Sequence, residues 1–84
     1  GLIYKVVPDA ELYNETLKIA QTLAEMPTVG LGLTKRAINK GLNNSLQEQL
    51  KVEAVLQEEA SNSSDHKEGV KAFLEKRKPV FKGE

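Results

Sequence analysis

The sequence predicts an all-α fold of three to four helices preceded by one short strand that has no partner, and three observations support this. Apolar residues recur at helical spacing through most of the chain. Turn-forming residues interrupt that spacing three times. The charged and aromatic fractions, 29% and 5%, are typical of a folded, helix-rich chain rather than a disordered one. We therefore expect one helical domain over residues 1–84, with a strand at 1–8 and helices at 9–25, 28–42, 45–62 and 65–78.

The first seven residues are mostly β-branched, aliphatic or aromatic and end at Pro8, which is typical of a strand. No other segment resembles a strand that could pair with it. A lone strand leaves a row of unpaired N–H and C=O groups, which favours association. We therefore expect that the strand belongs to the sheet of a longer protein or pairs with another copy of the chain.

Two helices follow. Asp9 can cap the first, which ends at residue 25 because Met26, the residue before Pro27, is pushed out of the α region. The predicted buried side of the first helix consists of Leu12, Thr16, Ile19, Ala20 and Leu23. That of the second consists of Val29, Leu33, Ala37 and Ile38. Two glycines early in the second helix, Gly30 and Gly32, indicate close approach of another element.

The third helix opens with a capping box, in which Ser45 and Glu48 have the required spacing of three residues. Its apolar positions cover more than one narrow stripe, which predicts two packing partners, the neighbouring helices and a further element. They are Leu46, Leu50, Val52, Ala54, Val55 and Leu56.

The last helix has the same spacing at Asp65 and Glu68, which predicts a second capping box. One face carries the predicted stripe Val70, Phe73, Leu74 and Arg77. Pro79 stops the helix, and we expect Phe81 beyond it to dock onto a neighbouring element.

Composition excludes several classes of function. Equal numbers of acidic and basic residues, 12 of each, give no attraction to nucleic acid. No apolar run reaches the ~20 residues of a membrane helix, so we expect no membrane partner. The absence of cysteine removes disulfides and thiolate metal sites, which is compatible with a reducing compartment, and we expect a cytoplasmic location.

We expect no catalytic residue and no metal ligand in this chain. It has one histidine, His66, and its glutamates are typical of a solvated helix face. The basic end is more informative, since half of the 12 basic residues lie in the last eighteen positions. Those charges either compensate the helix dipole or bind an anion, with lysine as a mobile point charge and arginine as a fork.

The end of the chain resembles the C-terminal signature of the crotonase superfamily, the enoyl-CoA hydratases and isomerases. The resemblance is carried by Asp65, Glu68, Gly69, Ala72, Phe73, Glu75, Lys76, Arg77, Pro79 and Phe81. Two further segments, 1–8 and 33–39, resemble the family's closing strand and its following helix. The resemblance therefore covers nearly the whole chain.

This resemblance implies the C-terminal part of an enzyme that hydrates or isomerises an enoyl-CoA, in fatty-acid or phenylacetate catabolism. The part itself is expected to be inactive and to bind no cofactor; coenzyme A thioester is the substrate of the parent. In the family this region makes trimer contacts and closes the acyl-CoA tunnel. Lys76 matches a lysine that reaches a coenzyme A phosphate, and Phe73 matches an aromatic residue lining the cofactor end of the pocket. We expect self-association as a dimer or higher assembly.

Two other functions are compatible with the residues. A self-contained helical interaction module would use the wide apolar face of the third helix, and a clean monomer in sedimentation would argue against exposed binding surfaces. A small four-helix acyl-CoA carrier would bind long-chain acyl-CoA tightly as an isolated chain, which calorimetry can test.

Overall fold

A computed structural model describes all 84 residues and contains four α-helices and no β-strand. The helices are α1 (Asp9–Ala24), α2 (Thr28–Gly41), α3 (Leu46–Asn62) and α4 (Ser64–Leu74). The predicted helical fold class is confirmed. The main helix–helix contacts join α2 to α3 and α3 to α4, so α1 lies largely apart from the other three. None of the four helices is both long and apolar enough to cross a membrane.

The predicted strand at 1–8 does not form, because the chain contains no second strand to complete a ladder. The segment instead lies beside α1. The Lys5 ammonium is 2.6 Å from the carboxylate of Glu15, which also binds Lys18 at 2.7 Å. These two cations lower the pKa of Glu15 to about 2, mainly through the hydrogen bonds that they donate.

The start of α1 differs from the prediction. Pro8 occupies the N-cap, no side chain caps the helix, and Asp9 is its first helical residue. The carboxylate of Asp9 therefore favours the helix through the dipole rather than through a capping bond. No residue of α1 is buried, so its predicted apolar side is uncovered within this chain.

The core is small and lies mainly between α2 and α3. Only Leu33, Leu56 and Ala72 are buried apolar residues, among four buried residues in all. A side-chain hydrogen bond of 3.0 Å from Gln49 Nε2 to the Ala37 carbonyl ties α3 to α2 beside this core. Four buried residues of 84 are few for a chain of this length. Most of the apolar surface that the sequence marks for burial is therefore exposed.

The predicted packing of α2 and α3 is only partly found. Ile38 is exposed, and a methyl group added at Gly30 or Gly32 would meet nothing within 4 Å, so no close approach occurs at these glycines within the chain. The capping box that opens α3 is present: Ser45 Oγ accepts from the Glu48 N–H at 3.4 Å, and Glu48 accepts from the Ser45 N–H at 2.9 Å.

Candidate functional site at the end of helix α4

The N-terminus of α4 is capped by Ser63, whose hydroxyl accepts a hydrogen bond of 3.1 Å from the His66 N–H. The predicted capping box of Asp65 and Glu68 is therefore wrong. Both residues lie within the helix, one turn apart, and both carboxylates bind groups that follow α4 in the chain. These two carboxylates therefore hold the residues that follow α4 against the helix.

Asp65 holds the tail of the chain against α4. Its side chain is buried and accepts hydrogen bonds from the Lys82 N–H at 2.7 Å and the Gly83 N–H at 2.9 Å. The Asp65 N–H donates in return to the Glu84 carbonyl at 2.9 Å. Gly83 adopts φ +77°, and a Cβ there would lie 2.6 Å from Thr28 Oγ1, so glycine suits both the backbone and the close contact with α2.

The C-terminus of α4 is a Schellman motif. The Lys76 N–H donates to the Phe73 carbonyl at 3.2 Å, and the Arg77 N–H donates to the Ala72 carbonyl at 3.0 Å. Lys76 adopts φ +52°, and it is the only residue other than glycine with a positive φ. The helix ends at Leu74 rather than at the predicted residue 78, because this motif turns the chain before Pro79 is reached.

Arg77 binds carboxylates of its own chain. Its guanidinium donates to both oxygens of Glu68, at 2.6 and 2.8 Å, and also binds Glu75. The hydrogen bonds from Arg77 and from the Val80 N–H lower the pKa of Glu68 to about 2. Arg77 is therefore outside the predicted helical stripe, and its fork is already occupied by carboxylates.

The two residues predicted to bind coenzyme A lie close together at this end of α4. Phe73 is 81% exposed and borders an open cleft of about 440 Å³ that also includes Leu74 and Phe81. Lys76 follows one turn later, is exposed, and forms no ion pair. Its ammonium is consequently free for an anion from outside the chain. Phe81 is half-buried, and its ring lies 3.7 Å from the position of a Cβ added to Gly69.

Sequence reasoning did not identify the partners of Asp65 and Glu68. Asp65 binds residues 17 and 18 positions away, and Glu68 binds residues 9 and 12 positions away. Local spacing favours a capping box, whereas the observed bonds depend on the turn at Lys76. Arg77, three residues beyond the end of the helix, was the one available signal for the Glu68 ion pair.

The sequence model of the enoyl-CoA hydratase/isomerase family matches residues 1–84, which is the whole chain. The chain therefore belongs to this family, within the crotonase superfamily. Its architecture agrees with that assignment: an enoyl-CoA hydratase from Geobacillus kaustophilus HTA426 superimposes with a TM-score of 0.93 at 39% identity. That superposition covers 100% of this chain and 32% of the other.

Two curated relatives are similar over almost the entire chain. A 1,2-epoxyphenylacetyl-CoA isomerase of Escherichia coli (strain K12) is 47% identical over 99% of this chain and 32% of its own length. A probable enoyl-CoA hydratase of Rhodobacter capsulatus is 45% identical over the same shares. The chain thus spans about a third of the length of the curated relatives that it matches.

Proposed function

We propose that these residues form the C-terminal part of an enoyl-CoA hydratase/isomerase-like enzyme, which hydrates or isomerises an enoyl-CoA thioester. The observation that carries the proposal is the superposition on a solved hydratase, which includes every residue of this chain yet only 32% of that enzyme. Fatty-acid catabolism is the proposed setting. Phenylacetate catabolism receives support from the relative of 47% identity that acts as an epoxyphenylacetyl-CoA isomerase.

The role proposed for this part is to join subunits and to close the acyl-CoA site. Support comes from its uncovered apolar faces. On α3, Leu46 and Val55 are 75% and 62% exposed, while Leu56 on the same helix is buried against α2. Within this chain α3 packs against α2 and, less extensively, against α4, and neither helix covers Leu46 or Val55, so this apolar face requires a further partner. The remaining face is assigned to the body of the parent enzyme or to a second subunit.

The part assigned to substrate binding is the end of α4. Lys76 would bind a phosphate of coenzyme A through its free ammonium, and Phe73 would line the cofactor end of the pocket. Coenzyme A is here the carrier of the substrate, so the chain needs no resident cofactor. The bond-making groups would come from the rest of the parent, which we place in the cytoplasm.

The test is steady-state kinetics of the complete enzyme carrying Lys76→Ala. Loss of a phosphate contact should raise KM for the acyl-CoA about three- to tenfold and change kcat little, because the contact is made equally in the ground and transition states. Lys51→Ala is the matched control, since Lys51 is an exposed lysine of α3 without an ion pair. An unchanged KM in Lys76→Ala would show that this residue does not contact the substrate.

The uncovered face of α3 also favours the alternative of a helical interaction module. Analytical ultracentrifugation of the pure chain with Leu46→Glu and Val55→Glu tests whether this face mediates self-association, and the kinetics of Lys76→Ala separate the two functions. Self-association that these substitutions abolish, together with no effect of Lys76→Ala on any acyl-CoA kinetics, would favour the module.

A further inference from the structure

Lys76 stands in a backbone conformation that lysine rarely adopts. Its φ of +52° lies in the left-handed region, where glycine is the usual residue at the position after a helix C-cap. A side chain on such a residue points in a direction that no continuation of the helix would give it. The conformation must therefore be held by bonds on both sides of Lys76.

On the N-terminal side, the Schellman hydrogen bonds hold this conformation, and in one of them the Lys76 N–H donates to the Phe73 carbonyl. On the C-terminal side, Glu68 holds it. Its carboxylate receives the Arg77 guanidinium at 2.6 and 2.8 Å and the Val80 N–H at 2.9 Å. Three charge-assisted hydrogen bonds thus fasten the chain after Lys76 to the second turn of α4.

Charge separates the roles of the adjacent cations. The guanidinium of Arg77 lies between the carboxylates of Glu68 and Glu75, so its charge is compensated within the chain. Lys76 has no such partner, although it is the neighbouring residue. The guanidinium of Arg77, which could bind a phosphate through two hydrogen bonds, is thus occupied by carboxylates, whereas the ammonium of Lys76 is free.

We propose that Glu68 and Arg77 are positioning residues, which fix the turn at Lys76 so that its ammonium is presented to the phosphates of a coenzyme A thioester. The inference rests on the proposed function, because it names the support of a contact that the proposed function assigns to Lys76. Arg77 itself does not bind the ligand in this arrangement. Its guanidinium acts indirectly, by fixing the backbone conformation of the preceding residue, Lys76.

The test compares two substrates of the complete enzyme, an enoyl-CoA and the corresponding enoyl-pantetheine, which lacks the nucleotide and its phosphates. Two variants disrupt the bidentate ion pair of Glu68 and Arg77 in different ways. Glu68→Gln removes the carboxylate, and Arg77→Lys keeps the positive charge but cannot bind both oxygens. Glu59→Gln is the control, since it removes an exposed ion pair of 3.4 Å with Arg36 away from this turn.

We expect Glu68→Gln and Arg77→Lys each to raise KM for the enoyl-CoA about threefold, with kcat and all constants for the enoyl-pantetheine unchanged. Glu59→Gln should alter neither substrate. An equal loss with both substrates would overturn the inference, because it would show a general structural role. So would normal KM values in both variants while Lys76→Ala raises KM, an outcome that leaves the proposed function intact. If Lys76→Ala also has no effect on KM, the proposed phosphate contact itself fails.

Discussion

The buried carboxylate of Asp65 accepts the Gly83 N–H at 2.9 Å, which joins the first turn of α4 to the last residues of the chain. The same carboxylate accepts the Lys82 N–H, so both oxygens are used by the backbone. An acidic side chain that is only 2% exposed and has no cation beside it is held by these bonds and by the positive end of the helix dipole.

The first prediction concerns this tail contact. Asp65→Asn replaces one acceptor oxygen by a donor that faces a backbone N–H, so we expect a loss of about 1–3 kcal/mol in the free energy of unfolding. Amide hydrogen exchange should show faster exchange at Lys82 and Gly83. Asp9→Asn is the control, because Asp9 is an exposed first-turn aspartate without a side-chain cap bond. Unchanged protection of both tail amides would contradict the assigned contact.

The contrast between Ser45 and Asp65 shows how much the sequence could predict. The same three-residue spacing predicts a capping box at both residues. At Ser45 the prediction is confirmed, because both bonds join residues only three positions apart. At Asp65 it is wrong, because tail N–H groups 17 and 18 residues away bind the carboxylate, and Ser63 supplies the cap.

The same distinction applies to helix lengths and burial. Helical spacing predicted four helices, and the turn residues predicted seven of their eight ends to within one residue of the observed positions. The eighth, after Leu74, depends on a lysine in a left-handed conformation, which residue preferences do not indicate. Apolar stripes predicted the sides of the helices that carry apolar residues, but they could not reveal which of those sides this chain covers itself.

A second prediction follows from the φ of +52° at Lys76. Lys76→Gly should raise the free energy of unfolding by up to about 1 kcal/mol, because glycine adopts the left-handed region without a Cβ penalty. Lys71→Gly, in the interior of α4, should lower it by about the same amount. Thermal unfolding of the two variants measures the difference. The same sign of change in both would show that residue 76 is not in the left-handed conformation.

A third prediction uses pH. The pKa of Glu68 falls from 4.5 to about 2 in the folded chain, chiefly because Arg77 donates to its carboxylate. A depressed folded-state pKa gives stability that is complete above about pH 4.5 and disappears as the pH falls towards 2. The difference in Tm between the wild type and Glu68→Gln should therefore be constant from pH 8 to 5 and shrink below that. A difference that stays the same down to pH 2 would contradict the ionised pair.

A fourth prediction addresses the small core. Leu56→Ala should lower the free energy of unfolding by about 2–4 kcal/mol, since this side chain is 6% exposed and packs between α3 and α2. Leu46→Ala, on the exposed face of the same helix, should cost less than about 0.5 kcal/mol in the isolated chain. Urea unfolding of both variants gives the comparison. Similar costs would mean that the α2–α3 contact is not the stabilising core.

We propose that this chain contributes site closure and subunit contacts, while the bond-making groups lie elsewhere in the parent enzyme. The most direct measurement is hydration of crotonyl-CoA by the purified 84-residue chain, followed by loss of the enoyl-thioester absorbance. We expect the same rate as in buffer alone at every concentration of the chain. A rate that rises in proportion to the amount of chain would contradict it.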